Sequence, residues 1–234
     1  VASASAGSAT IVGIAKGVGM IEPDMATMIA IITTDAEISS DRLDETFRRV
    51  VQHTFNALSV DTDTSTSDMA VILASGQAGP VDEKQFETAL SEVCLNLTRQ
   101  LAADGEGAET LIVVNVTRAR DDDQARRVAK AVVNSPLVKT AIHGRDPNWG
   151  RVAMAIGKCH DDTDINQEEV TISFGHQEVY PTPATPHALS ELETYLGGDE
   201  VHIGVDLGLG EGTFIAYGCD LTDGYVRINA DYTT

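Results

Sequence analysis

The sequence predicts a mixed α/β protein, and three observations carry that prediction. Short apolar, partly β-branched runs alternate with long amphipathic stretches of helical period. Hydrophobic residues make up 42% and aromatic residues only 5% of the 234 positions, so Val, Ile, Leu and Ala must fill the core. Gly, Pro, Asp and Ser gather between the periodic segments, where turns are needed.

Taken in order, Ile11 to Ala15 reads as a short strand ended by the glycines of Lys16-Gly17-Val18-Gly19. The run Thr27 to Thr34 is continuous and apolar, and suits a strand buried on both faces. Ser40 to Leu58 has Leu43, Phe47, Val50, Val51 and Phe55 at helical spacing. Met69 to Ala74 is a further strand. Asp82 to Ala103 is a long helix, with Asp82 and Gln85 resembling a capping box. Its stripe is Phe86, Leu90, Val93, Cys94, Leu97 and Leu101, and Gly105 stands just past its end.

Thr110 to Val116 returns as a strand. Asp121, Asp122 and Asp123 then open a helix running through Val132, because acids favour the positive end of a helix dipole. Asn148 is placed to cap an apolar helix over Val152 to Ile156. Later strands are expected at Val170–Phe174, Val201–Asp206, Phe214–Tyr217 and Tyr225–Ile228. A helix from His187 to Leu196 follows Pro186. A domain boundary is placed near Arg118 to Asp121, giving parts 1–118 and 119–234.

A net charge of −20 disfavours nucleic acid and anionic membranes, since a polyanion would be repelled. No apolar run approaches the roughly 18 residues of a membrane span. Cys94, Cys159 and Cys219 form no C-x-x-C pair, which fits a reducing cytoplasm rather than a disulfide framework. The six histidines lack close ligand spacing, so no metal is expected. Val1 opens a small polar stretch that looks like a continuing chain. The sequence is therefore expected to be the later portion of a longer polypeptide.

Several segments can carry chemistry. Thr27 stands where the polar loop Pro23-Asp24-Met25-Ala26 enters a strand. A threonine hydroxyl can attack the preceding carbonyl, shift the acyl group from nitrogen to oxygen, and leave an ester that water splits. The new chain would begin with a free α-amine able to act as base for its own hydroxyl. Asp61, Asp63 and Ser65 have the spacing of a calcium loop, but Thr66 and Ile72 hold the glycine and closing-acid positions, so that reading fails. The hydroxyl-rich loop Asp61 to Asp68 then reads either as a turn or as a polar wall of a site. In Asp104-Gly105-Glu106-Gly107 the glycines form a tight turn, or let the Glu106 carboxylate approach a cationic amine. The segment Gly144 to Arg151, with the only Trp, reads as a structured turn. Gly208-Leu209-Gly210-Glu211-Gly212 precedes a strand rather than a helix, so it is a hairpin turn or bulge and not a dinucleotide fingerprint.

At these same residues the chain resembles the ornithine acetyltransferase (glutamate N-acetyltransferase) family. Lys16 to Met28, Asp61–Asp68, Asp104–Gly107, Asp146–Arg151 and Ile228–Thr234 match that family's motifs in the same order, across essentially the whole chain. The resemblance implies self-cleavage between Ala26 and Thr27. Residues 1–26 would then end an α chain, and residues 27–118 would begin the β chain. It implies an αββα sandwich similar to N-terminal nucleophile hydrolases, with a C-terminal α/β domain over 119–234.

It also implies transfer of acetyl from N-acetylornithine to glutamate through acetyl-Thr27, with no cofactor. An α2β2 heterotetramer and arginine biosynthesis go with this. Lys16, Thr27, Glu106, Asn229 and Thr234 match the substrate-binding positions. A Lys16 cation suits a carboxylate, and a Glu106 anion suits an amine. The family's oxyanion hole, a Thr-Gly pair, lies in an earlier α segment outside this sequence. The form Thr62 to Asp68 is similar to paralogues of clavulanic-acid-type pathways. An amidase using water, and a bifunctional enzyme also using acetyl-CoA, remain alternatives.

Overall fold

The structure is a computed structural model, and it describes residues 1–17, 19, 22, 28–63 and 68–231. It divides into two compact units, Val1–Leu101 and Ala102–Thr234. The division precedes the 118/119 boundary expected above because the strand after Thr110 belongs wholly to the second unit's sheet.

The first unit holds a four-stranded sheet in the order β1-β2-β3-β4, formed by β1 (Ala2–Ala6), β2 (Ala9–Lys16), β3 (Ile29–Thr34) and β4 (Met69–Ala74). The first three strands are antiparallel neighbours, and β3 and β4 are parallel. The crossover between β3 and β4 carries helix α1 (Ser40–His53). The expected helix to Leu58 stops early: the chain tightens into a 3-10 turn over Phe55–Ala57. That turn seats Phe55 fully out of solvent.

Helix α2 (Glu83–Ala103) begins at Asp82, whose carboxylate accepts the Gln85 N–H at 2.9 Å. Its whole expected stripe is buried. The stripe packs on the sheet closely enough that a Cβ at Gly13 would lie 2.8 Å from Ile32, Val93 and Leu97 side-chain atoms. Ion pairs Arg42–Glu83 and Arg49–Glu87 join α1 to α2 on the surface.

Strand β3 is not buried on both faces. Ala30, Ile32 and Thr34 turn inward, whereas Ile29 and Ile31 are half-buried and Thr33 is exposed. The open face continues across the registered neighbours Ile14, Ile31 and Val71, with Val12 and Leu73 alongside. A continuous apolar run suggests double burial, but among the described residues a helical layer covers one face only.

The second unit holds a five-stranded sheet in the order β7-β6-β8-β5-β9. Its strands are β5 (Leu111–Ala119), β6 (Thr171–Phe174), β7 (Gln177–Tyr180), β8 (Glu200–Asp206) and β9 (Gly212–Cys219). Helices α3 (Asp122–Val133), α4 (Pro136–His143), α5 (Trp149–Gly157), α6 (Pro186–Tyr195) and α7 (Asp223–Asp231) complete the unit. Asp121 caps α3 through the Gln124 N–H at 2.7 Å, and Asn148 caps α5 through the Arg151 N–H at 3.2 Å, as the sequence suggested.

Two expectations fail here. The glycine-rich segment 208–212 is not a hairpin turn, because β8 and β9 lie on opposite sides of β5, parallel and antiparallel to it. The connection crosses the end of β5, and a Cβ at Gly212 would fall 2.2 Å from the Asp121 carbonyl carbon. The register shift of the β5–β9 pairing puts its extra residue in β5, between Val116 and Ala119, and not in the glycine segment. The segment Tyr225–Ile228 is not a strand but the middle of α7. Thr222 caps that helix by accepting the Tyr225 N–H at 3.2 Å, and Asp223 sits in its first turn.

Candidate functional site

One end of the first sheet gathers residues of two of the motifs. Lys16 ends β2 and pairs in register with Ile29, which begins β3 and pairs in turn with Met69 at the start of β4. Antiparallel and parallel pairing thus bring the end of one strand beside the starts of two others. Lys16 is exposed there, on the same face as Ile29. Met28 precedes Ile29, and its carbonyl accepts the Met69 N–H at 2.9 Å. Its own N–H donates to Asp68 Oδ1 at 2.5 Å. Burial pushes the Asp68 carboxyl above its ordinary value, while the Met28 hydrogen bond opposes that shift. Nearby, Ser59 donates to the Glu22 carboxylate at 3.3 Å. Thr27 itself, with the Ala26–Thr27 bond, lies outside the described residues, as does Thr64 to Ser67.

The second unit brings together two predicted residues far apart in sequence. Asn229 Nδ2 on α7 donates to Glu106 Oε2 at 2.9 Å. This pairing follows from backbone geometry below it. Gly107 has φ +67°, and a Cβ there would lie 2.4 Å from the Tyr225 nitrogen and 2.6 Å from the Gly224 carbonyl carbon. The turn therefore lies directly on the N-terminus of α7. Thr222 Oγ1 fastens it, donating to the Gly107 carbonyl at 2.6 Å while accepting from Tyr225. Asn229 also donates to its own helix at the Tyr225 carbonyl, at 3.1 Å, so its amide is aimed. A carboxylate with an amide donor on one oxygen keeps acceptor capacity for an ammonium group. Thr234, the remaining predicted binding residue, lies outside the described residues.

A buried clasp holds the chain just after Glu106. Asp220 Oδ1 accepts the N–H groups of Glu109 and Thr110 at 2.9 and 3.0 Å. Its other oxygen pairs with His143 Nδ1 at 3.1 Å. Ligand atoms of Glu109, His143 and Asp220 lie within 4.8 Å of one another. Both Asp220 oxygens are engaged by nitrogen groups, so the cluster works as a structural fastening. Sequence reading missed Asp220 and Thr222. Single polar residues in turns give no signal of the partner that they fasten. In the turn around Trp149, the ring stacks on Tyr180 at a centroid distance of 4.8 Å.

Among the described residues no helix is long and apolar enough to cross a membrane. The ArgJ family model matches residues 1–234. The chain is 60% identical to "Glutamate N-acetyltransferase Oat2" of Streptomyces clavuligerus, over 98% of this chain and 60% of that protein. It is 53% identical to "Arginine biosynthesis bifunctional protein ArgJ" of Rhodococcoides fascians, over 100% of this chain and 59% of that one. The chain thus spans about 60% of the length of these curated relatives. Among solved structures, the ArgJ protein of Bacillus halodurans matches with a TM-score of 0.80 and 44% identity, over 86% of this chain and 97% of that one. With a family model matched along its whole length and a shared two-sheet α/β fold, the chain belongs to the ArgJ family.

Proposed function

We propose that this chain forms part of a glutamate N-acetyltransferase that moves acetyl from N-acetylornithine to glutamate through an ester on Thr27. Thr27 becomes the nucleophile after the Ala26–Thr27 bond is cut, and its freed α-amine serves as the base. The α-amine takes the proton of the Thr27 hydroxyl as Oγ attacks the acetyl carbonyl carbon. The carbon–nitrogen bond then breaks, and the same proton leaves with ornithine's amine. Glutamate's amine attacks the acetyl ester and releases the hydroxyl. No step calls for a cofactor.

The observation that carries this reading is the Glu106–Asn229 pair. Two motif residues distant in sequence meet at 2.9 Å, in a turn fixed by Gly107. Glu106 supplies a negative charge for a substrate ammonium, Asn229 orients it, and Lys16 supplies a positive charge for a substrate carboxylate. Thr234 joins the same binding set. An amino acid offers one group of each sign.

The open apolar face of β2, β3 and β4 supports a second sheet stacked on the first, which gives the αββα sandwich. That sheet belongs to the α segment, which also brings the oxyanion donors, and two αβ pairs assemble as α2β2. Arginine biosynthesis is the setting that the relatives' names favour.

The test is mass spectrometry of the complete gene product after donor alone. The expected result is an adduct of about 42 Da on a chain that begins at Thr27, consistent with covalent acetyl transfer. Thr27→Ala should show neither cleavage nor adduct. Ornithine release should require glutamate; release into water alone would instead identify an amidase. Adduct formation from acetyl-CoA would add the bifunctional activity.

A further inference from the structure

Strands β5 and β9 pair antiparallel, and Leu111 opposite Cys219 is the last registered pair at this end. One further step is made by backbone, the Asp220 N–H donating to the Thr110 carbonyl at 3.1 Å. Beyond that step, side chains take the place of the ladder. Asp220 Oδ1 accepts the N–H groups of Thr110 and Glu109, and two residues on, Thr222 Oγ1 donates to the Gly107 carbonyl. The chain so held runs back into a β-turn. The Ala108 N–H closes it on the Gly105 carbonyl at 2.9 Å, with Glu106 and Gly107 at its corners. The positive φ of Gly107 suits the second corner of a type II turn.

Both halves of the Glu106–Asn229 pair are therefore mounted on one short segment, Asp220 to Thr222. Its two polar side chains grip the backbone that follows Glu106. Thr222 also caps the helix that carries Asn229, by accepting the Tyr225 N–H. Asp220 is the anchor of the three residues. Its side chain is wholly out of solvent, and its second oxygen meets His143 Nδ1 at the end of α4. It is thus fixed from the lead-in to β5, from its own strand and from a helix. A shift of a binding group by about 1 Å can cost on the order of 100-fold in rate, so such anchoring bears on function as well as on stability.

We propose that Asp220 is a positioning residue for substrate binding, acting through the Glu106–Asn229 pair. The proposal rests on the reading of Glu106 as the carboxylate that meets a substrate ammonium. Asp220 touches no substrate. Its negative charge is spent on two backbone N–H groups and a histidine nitrogen, and what it delivers is the place of the Glu106 turn relative to α7.

The test is steady-state kinetics of the complete processed enzyme, with N-acetylornithine varied against saturating glutamate and a thermal melt of each variant. N-acetylornithine carries a side-chain ammonium. Asp220→Ala removes both acceptors and should raise KM for N-acetylornithine about tenfold, with kcat changed far less, as displacement of a binding group does. Asp220→Asn should recover most of that loss, because its oxygen still accepts the two N–H groups and its amide can donate to His143 Nδ1. In a Glu106→Gln background, Asp220→Ala should raise KM no further, since the charge it positions is gone.

A folded Asp220→Ala with the parent's KM overturns the proposal. So does a KM effect that multiplies in full on that of Glu106→Gln, because Asp220 would then act by another route. Should Asp220→Ala fail to fold, Thr222→Val takes its place under the same two criteria, since it releases the Gly107 carbonyl from the same segment. An unchanged KM in Glu106→Gln itself would instead sink the ammonium reading of Glu106, and the positioning role with it.

Discussion

Gly107 shows how one missing methyl group can set a site. The sequence flagged the glycines around Glu106 as a means of letting a carboxylate approach a ligand. The structure gives a different reason for Gly107: the backbone of α7 occupies the place where its Cβ would be, at 2.4 Å. Its φ of +67° adds a second demand for glycine. Gly107→Ala is therefore expected to lose about 1–3 kcal/mol of stability. It should also raise KM for the amino-acid substrates more than it lowers kcat, because Glu106 and Asn229 would separate. Urea unfolding and steady-state kinetics check both. Lys16 and Glu106 stand out in the sequence through the family motifs, and their charges are of the two signs an amino acid would pair with. Asp68 was legible only as part of a polar loop, since which atom it grips depends on strand register.

Among the elements, long helices with wide apolar stripes were read almost to their ends, because burial of one face dictates their period. Helix α7 was not. Tyr225, Val226, Arg227 and Ile228 have the composition of a strand, yet none of the helix's residues is buried. With no core face to impose a period, the Thr222 cap and the Asp223 charge decide the outcome, and four residues of β-rich composition misled.

Helix α3 illustrates the opposite, an element tied down by charge. Asp162 has its side chain buried and receives both Nε and Nη2 of Arg127, at 2.9 and 2.7 Å, together with Arg120 and Gln124. These partners hold its carboxyl down to about 2, with the Arg127 hydrogen bonds the main cause and burial opposing them. A folded-state pKa below the unfolded one adds stability in full above the ordinary carboxylate range. That contribution is lost as the pH falls from about 4 through about 2. Asp162 should therefore contribute at most about 2 kcal/mol at neutral pH that disappears in acid. Urea melts at pH 5 and pH 3 should differ less in Asp162→Asn than in the parent.

For the molecule as a whole, the expected α/β class holds in both units. The open face of β2, β3 and β4 was not legible in the residue pattern, because an apolar run does not say how many faces are covered. Val12, Ile14 and Leu73 remain exposed on that face, and β4 is an edge strand. Such a surface favours association, whereas a net charge of −20 opposes it. Residues 1–234 alone should self-associate as salt is raised, and Val12→Lys with Leu73→Lys should suppress this with little change in melting temperature. Sedimentation velocity at two ionic strengths is the check.

The order of strands in the second sheet has a consequence in time. The four described strands of the first sheet have all been made once residue 74 is reached, since they lie between Ala2 and Ala74. Strand β5, by contrast, must wait for β8 and β9, and its last partner ends at Cys219. A chain emerging from the ribosome therefore holds a paired first sheet while β5 still lacks both neighbours. The Glu106 turn lies just before β5 and is fastened by Asp220 and Thr222, so it is among the last parts to be shaped.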